Sequence, residues 1–340
     1  MKSKITLLFV LMLGLIVLSV GTGFAEDKGT VFYLAPNQFD EMQTTAAKEI
    51  KNVVEEAGYE CKVLVAGNED VSLQINQMEN AITQDPVAII LAATNSTAIA
   101  DSVERARDEG IPIIIYDRTI TDTYVDFTSV AGCKKMGIIA GNQIAELLKE
   151  RYGEVKGNVF DLMGDPGDMY TVKIEEGFKE VMEQYPNVNI TTKVTHGWEA
   201  TTGANTTEDW IVANPDTDLI FAHADHMASA IAARLETRGY DPGEIMLVST
   251  AGMPMGLDLV REGWAQVTVQ QPVIAQAKGV AMFLDKIVNR ECPKPGTYDV
   301  GGLTAELVYQ DYGPELQIPG AAITKENVEN PQWWGNKAAK

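Results

Sequence analysis

Short runs of β-branched and apolar residues alternate with longer amphipathic stretches along this 340-residue chain. That alternation limits the fold class before any single residue is considered. "TVFYLA" (30–35), "CKVLVA" (61–66), "AIILAA" (88–93) and "IPIIIY" (111–116) predict strands. The intervening 41–57, 71–84 and 96–109 predict helices, closed by Gly58, by Asp85-Pro86 and by Gly110. Strands that alternate with helices of this length form βαβ units and a parallel sheet. Both faces of such a sheet are covered, so its strands are apolar throughout. After "DFTSVAG" (126–132) the alternation restarts, with helices over 134–151, 170–184, 202–213 and 226–238. The strands between and after them are 157–164, 188–195, 218–224 and 245–250. The expected fold is α/β: two doubly wound parallel-sheet lobes joined by extended hinge crossings, with a ligand cleft between them.

The residues ahead of the first strand carry an address. Lys2 and Lys4 precede an apolar run from Ile5 to Val20, and the small residues Gly23 and Ala25 follow before Glu26. This is the pattern of a cleaved signal peptide, residues 1–25. The alternative, a retained anchor, needs roughly 20 apolar residues to span a bilayer. The protein is therefore expected to be exported through a cleaved signal. Loss of Lys2 and Lys4 takes the formal charge from −21 to −23. A chain so acidic repels nucleic acid and anionic membranes. Its mature length of about 315 residues suits two domains. Cys61, Cys133 and Cys292 are odd in number and lack any CxxC spacing, so a disulfide framework or a thiolate metal site is not expected.

Open parallel sheets bind ligands beyond the carboxyl ends of their strands. Those ends carry Asn37, Phe39 and Asp40, then Asn95, then Asp117 and Arg118, in the first half. In the second they carry Gly164-Asp-Pro-Gly167, His223-Ala-Asp225-His226 and Ser249-Thr250. Asp117-Arg118 is the sharpest signal, because a core strand runs straight into an acid and a base. A guanidinium fork beside a carboxylate can grip vicinal hydroxyls, which both donate and accept. A metal site built on His223, Asp225 and His226 is disfavoured, since one histidine ends a strand and the other opens a helix. Gly164–Gly167 lacks the lysine of a phosphate cradle. No nucleophile elbow or Ser-His-Asp order appears, so no enzyme, no cofactor and no metal are expected.

The segments "AGYECKVL", "IPIIIYDRT", "GFKEVMEQYP", "NPDTDLIFAHADHMA" and "QVTVQQPVIAQAKG" resemble periplasmic sugar-binding proteins of the ribose/galactose-binding type, the receptor subunits of ABC importers. The resemblance spans nearly all of the mature chain in the family order. It implies an amino-terminal lobe of 28–129 plus 271–299, and a carboxy-terminal lobe and tail of 130–270 plus 300–340. It also implies a sugar-stacking aromatic at Phe39, flanked by Asn37 and Asp40, a second aromatic at Trp198, and a late ligand glutamine at Gln270.

Three polar positions of that family are replaced, by Ile174, Ala224 and Ala251, unless Tyr170, His223 and Thr250 take over. A buried hydroxyl left unpaired costs about 1–3 kcal/mol, so the substitutions point away from D-ribose. The implied ligand is another neutral sugar, deoxysugar or polyol. The implied partners are that small molecule and a membrane ABC permease, with a chemoreceptor or kinase in the alternative sensory role; a secreted sugar-modifying enzyme is the weaker rival. Trp333 and Trp334 in the tail are expected to pack along the lobes.

Overall fold

The computed structural model describes residues 28–38 and 41–338. The expected signal segment, 1–25, and Phe39 and Asp40 lie outside the described residues. The first lobe opens with β1 (Thr30–Ala35), α1 (Glu41–Glu56), β2 (Glu60–Val65), α2 (Val71–Ile82), β3 (Ala88–Leu91), α3 (Ser96–Asp108), β4 (Ile113–Tyr116) and β5 (Phe127–Ala131). Its strands are parallel in the order β2-β1-β3-β4-β5. Alternate residues of each strand supply two different cores. Val31, Tyr33 and Ala35 face α1, while Phe32 and Leu34 face α2 and α3. The period of two along a pleated strand therefore explains why β3, β4 and positions 31–35 of β1 are apolar on both faces.

The chain then crosses over and repeats the plan. The second lobe contains α4 (Cys133–Tyr152), β6 (Gly157–Met163), α5 (Met169–Met182), β7 (Val188–Val194), α6 (Ala200–Ala213), β8 (Leu219–Ala222), α7 (Asp225–Thr237), β9 (Met246–Ala251), α8 (Pro254–Glu262) and β10 (Val267–Gln270). Its parallel order, β7-β6-β8-β9-β10, is the same as that of the first lobe. Helices α4 and α5 cover one face; α6, α7 and α8 cover the other.

A second crossing leads to α9 (Val273–Val288), which packs against α1 in the first lobe. The strands that follow correct the expected boundary. β11 (Gly296–Val300), β12 (Leu303–Gln310) and β13 (Gly313–Ile318) all join the first sheet, β13 lying parallel to β5. Residues 300–318 thus belong to the amino-terminal lobe, because β5 would otherwise leave an unpaired sheet edge. After a third crossing, β14 (Ala322–Thr324) pairs with β10 in the second sheet, and α10 (Trp334–Ala338) ends the described chain.

The crossings run side by side. Gly132 N donates to Ile318 O at 2.8 Å, and Gln270 N donates to Ala321 O at 2.9 Å. A Cβ at Gly320 would sit 2.2 Å from Gln270 O, so only glycine allows that approach. Cys61, Cys133 and Cys292 are unpaired.

Helices α4 and α5 meet through two glycines. A Cβ at Gly177 would lie 2.0 Å from Lys134 O, and one at Gly137 would lie 2.0 Å from Ile174 O. Both obstacles are rigid helix backbone, so the helices must separate to admit a methyl group. Gly177→Ala is expected to destabilise the protein by roughly 1–3 kcal/mol, the usual cost of overpacking. A urea midpoint equal to that of the parent would contradict this contact.

Candidate functional site

The carboxyl ends of both parallel sheets carry the polar residues anticipated from sequence, and the first lobe supplies an ion-paired wall. Arg118 donates through Nη2 to Glu69 Oε1 at 2.7 Å and through Nη1 to Ala93 O at 3.3 Å. Asn37 Nδ2 donates to the same Glu69 oxygen at 2.9 Å. Burial alone would depress the Arg118 guanidinium, but the Glu69 hydrogen bond and the nearby acids outweigh it and hold its pKa above the usual value. Asp117 is fixed separately. Gln43 Nε2 donates to its Oδ2 at 3.1 Å and Gln271 Nε2 donates to its Oδ1. Burial pushes the Asp117 carboxyl upward, against the opposing influence of Arg118 and Gln43.

An aromatic wall faces it from the second lobe. Trp198 ends a single 3-10 turn, His196–Trp198, and its ring meets Tyr170 edge-on at 6.0 Å between centroids. A Cβ at Gly164 would fall 2.0 Å from the indole, so the bare Gly164 backbone is what seats it. His226 Nε2 donates to Trp198 O at 2.9 Å. Tyr170 OH lies 3.2 Å from Thr250 Oγ1, which itself donates to His223 O at 2.8 Å. The Thr250 proton being used there, the phenol is the donor of the pair, and its own oxygen stays open as an acceptor. Asp168, which caps α5 through Tyr170 N, adds its negative charge to both Asp117 and Arg118. The two walls therefore stand within electrostatic reach of each other.

Backbone strain marks the same rim. Among the described residues six non-glycine residues have positive φ, and Glu69 (60°), Asp117 (68°), Trp198 (57°) and Ala251 (113°) are four of them. Such conformations persist only where surrounding contacts over-determine them, and they concentrate at binding sites.

A profile of the periplasmic binding protein domain matches residues 31–291. The chain belongs to the periplasmic binding protein family. The D-apiose import binding protein of Actinobacillus succinogenes is 26% identical over 275 residues, 80% of this chain and 86% of its own length. The multiple sugar-binding periplasmic receptor of Rhizobium radiobacter is 25% identical over 349 residues, 97% and 96% of the two chains. An ABC transporter solute-binding protein from Bacillus halodurans, solved with myo-inositol, superposes with a TM-score of 0.74. It is 23% identical and covers 93% of this chain and 100% of its own. That likeness speaks to the fold, a type I periplasmic binding architecture.

Within this binding protein the strand-end residues divide into four groups. Asn37, Asp117, Arg118, Tyr170, Trp198 and Thr250 are brought together in the two walls. Gln270, 6% exposed, sits at the crossing. Asn95 is spent on helix capping, accepting from Ala98 N at 2.9 Å. His223 and Asp225 turn away from the cleft. The His223 ring follows Phe221 onto the α5 face of the sheet, with Nε2 donating to Asp161 Oδ1 at 3.0 Å. Asp225 accepts from Ser249 Oγ at 2.5 Å, Thr268 Oγ1 at 2.7 Å and Met253 N at 2.7 Å, tying β9, β10 and α8 together.

Four further residues hold or face the wall residues. Glu69, Gln271 and Asp168 gave no distinctive signal in sequence. Gln43 did: it occupies the buried stripe of α1 with Ala46, Ile50 and Val53, where an apolar residue is the norm.

Asp225 generates a pH prediction. Burial, opposed by the Ser249 and Thr268 hydroxyls and the Met253 and Gly252 amides, pushes its carboxyl from 3.8 up to about 6. The native state thus binds the proton more tightly than the unfolded chain. Its contribution is complete below the unfolded value and is lost as pH climbs through the folded one. The stability difference between the parent and Asp225→Asn should therefore change with pH chiefly between about 4 and 6. Parallel stability–pH curves for the two proteins, from urea unfolding, would contradict the assignment.

Proposed function

We propose that this chain is the exported receptor of an ABC importer, binding a neutral sugar or polyol between two closing lobes and delivering it to the permease. The observation that carries this reading is the pairing of the cleft walls. A hydrogen-bonding wall of Asp117, Arg118, Glu69 and Asn37 faces an aromatic wall of Tyr170 and Trp198. Hydroxyls on one edge of a sugar pair with acceptors and donors of the first wall, while its carbon-bound face lies against the rings. The charge balance favours a neutral ligand. Arg118 is already paired with Glu69, and Asp117 and Asp168 are acids, so among the described residues of the walls a ligand carboxylate finds no free cation.

The relatives fit this reading, one being a D-apiose import binding protein and the other a multiple sugar-binding periplasmic receptor. Family members are binding proteins, and we read this chain as one that performs no chemistry on its ligand. Its first residues, Met1 to Ala25, are read as the cleaved signal that places it in the periplasm. Closure follows from differential affinity: the ligand meets one wall first, and the closed form completes its contacts. Ile174, Ala224 and Ala251 leave the second wall poorer in hydrogen-bonding groups, so the ligand is one other than D-ribose.

The test is a thermal-shift panel of pentoses, hexoses, deoxysugars and polyols, because a ligand that binds only the native state raises its melting temperature. A neutral member of the panel other than ribose should give the largest shift. Arg118→Ala should then weaken that ligand about thirtyfold, roughly 2 kcal/mol, since Glu69 and ligand hydroxyls lose a charged donor. A response only to amino acids, or unchanged calorimetric affinity in Arg118→Ala, would overturn the reading.

A further inference from the structure

Beneath the aromatic wall the second lobe buries three ionisable side chains against one another. Asp161 on β6, Glu175 on α5 and His223, just past β8, each offer one ligand atom, all within 4.8 Å of one another. His223 Nε2 is 3.0 Å from Asp161 Oδ1 and 3.8 Å from Glu175 Oε2. Asp161 and His223 are fully buried and Glu175 is 6% exposed. Asp161 Oδ2 and Glu175 Oε2 have no hydrogen-bond partner. Lys179 answers the charge on one side only, reaching Glu175 Oε1 at 2.6 Å. Two buried carboxylates with unpaired oxygens are costly without a cation between them.

We propose that Asp161, Glu175 and His223 form a binding site for a divalent transition-metal cation, with Zn²⁺ the best fit. Bonds of about 2.0–2.1 Å in a tetrahedron place neighbouring donors roughly 3.3 Å apart. The observed 3.0 and 3.8 Å bracket that spacing. One imidazole with two carboxylates suits zinc, manganese or iron, whereas calcium needs six to eight oxygens.

The outer contacts also suit a metal. Zinc on Nε2 leaves Nδ1–H to donate to Thr171 Oγ1, 2.6 Å away, and that hydroxyl oxygen also accepts from Gly164 N at 3.0 Å. Metal-bound histidines are oriented by such a bond on the second nitrogen. The ion ties α5 to β6 and β8. Because α5 starts beside Tyr170, and Gly164 seats Trp198, the site braces the aromatic wall from behind. This assignment does not depend on which ligand the cleft takes.

The test uses the full chain after chelator treatment. Titration with ZnCl₂ by calorimetry should show one tight equivalent and a higher melting temperature. Co²⁺ should give the visible absorption of a four-coordinate N/O site. Glu175→Gln and Asp161→Asn should each weaken Zn²⁺ by at least about 100-fold, while His196→Asn, on the surface, should bind like the parent. Absence of both the thermal shift and the Co²⁺ band in the parent protein would overturn the proposal, whether or not the variants fold. So would unchanged zinc affinity in folded Glu175→Gln, which would place the ion elsewhere.

Discussion

Parallel pairing is the constraint on which this structure rests. Parallel strands all run in one direction, so β1–β5 of the first lobe and β6–β10 of the second each finish on one edge, while β12 and β14 run against them. Each lobe therefore has a single rim where the backbone leaves the sheet and polar side chains can gather. The two rims face each other because the chain passes between the lobes three times at one place. There Gly132 is bonded to Ile318, and Gln270 to Ala321. A hinge made of adjacent backbone segments leaves few torsions to change on closure. Arg118, Asp117, Tyr170 and Trp198 are occupants of positions that this geometry created.

The rim is stiffened where it is strained. A left-handed conformation costs a non-glycine residue of the order of 1–3 kcal/mol, and each of three such residues has firm neighbours. Asp117 is clamped by Gln43 and Gln271. Trp198 is held at its carbonyl by His226 and at its ring by Tyr170 and Gly164. The Ala251 carbonyl accepts both Gln271 N at 3.0 Å and Trp334 Nε1 at 2.9 Å. Trp334, 1% exposed, packs into the first lobe's core while bonding a strand end of the second. The tail thus belongs to the support of the cleft.

The alternation of elements was legible because periods of 2 and 3.6 differ sharply over runs this long. Asp117-Arg118 was legible for a related reason, as charge directly after a core strand. What sequence could not supply was direction. The strand-end rule says where the backbone emerges, not which way a side chain turns. His223 lies two residues beyond Phe221 and shares its inward face, so it joins Asp161 instead of the cleft. Asp225 opens α7 and turns back to Ser249 and Thr268. Glu69 pairs with Arg118 from a loop 49 residues upstream, a contact that exists only once β1, β2 and β3 are assembled. Residues 303–318 extend the first sheet through β12 and β13, and nothing local in Gly301-Gly302 or in those strands names the sheet edge they join.

In the proposed function the two walls differ in how much precision they demand of a ligand. Hydrogen bonds to Arg118 and Asp117 are directional, and their geometry is set before any ligand arrives, because each group is held by protein partners. Contact with the rings of Tyr170 and Trp198 is non-directional and grows with the area covered. In the proposed cycle the first lobe selects, by matching hydroxyl positions, and the second drives closure by covering what remains exposed. A second wall without dense hydrogen bonding tolerates rotation of the ligand about its gripped edge. Selectivity among sugars then depends on the hydroxyls that reach the first wall, and the affinity common to them on the rings opposite.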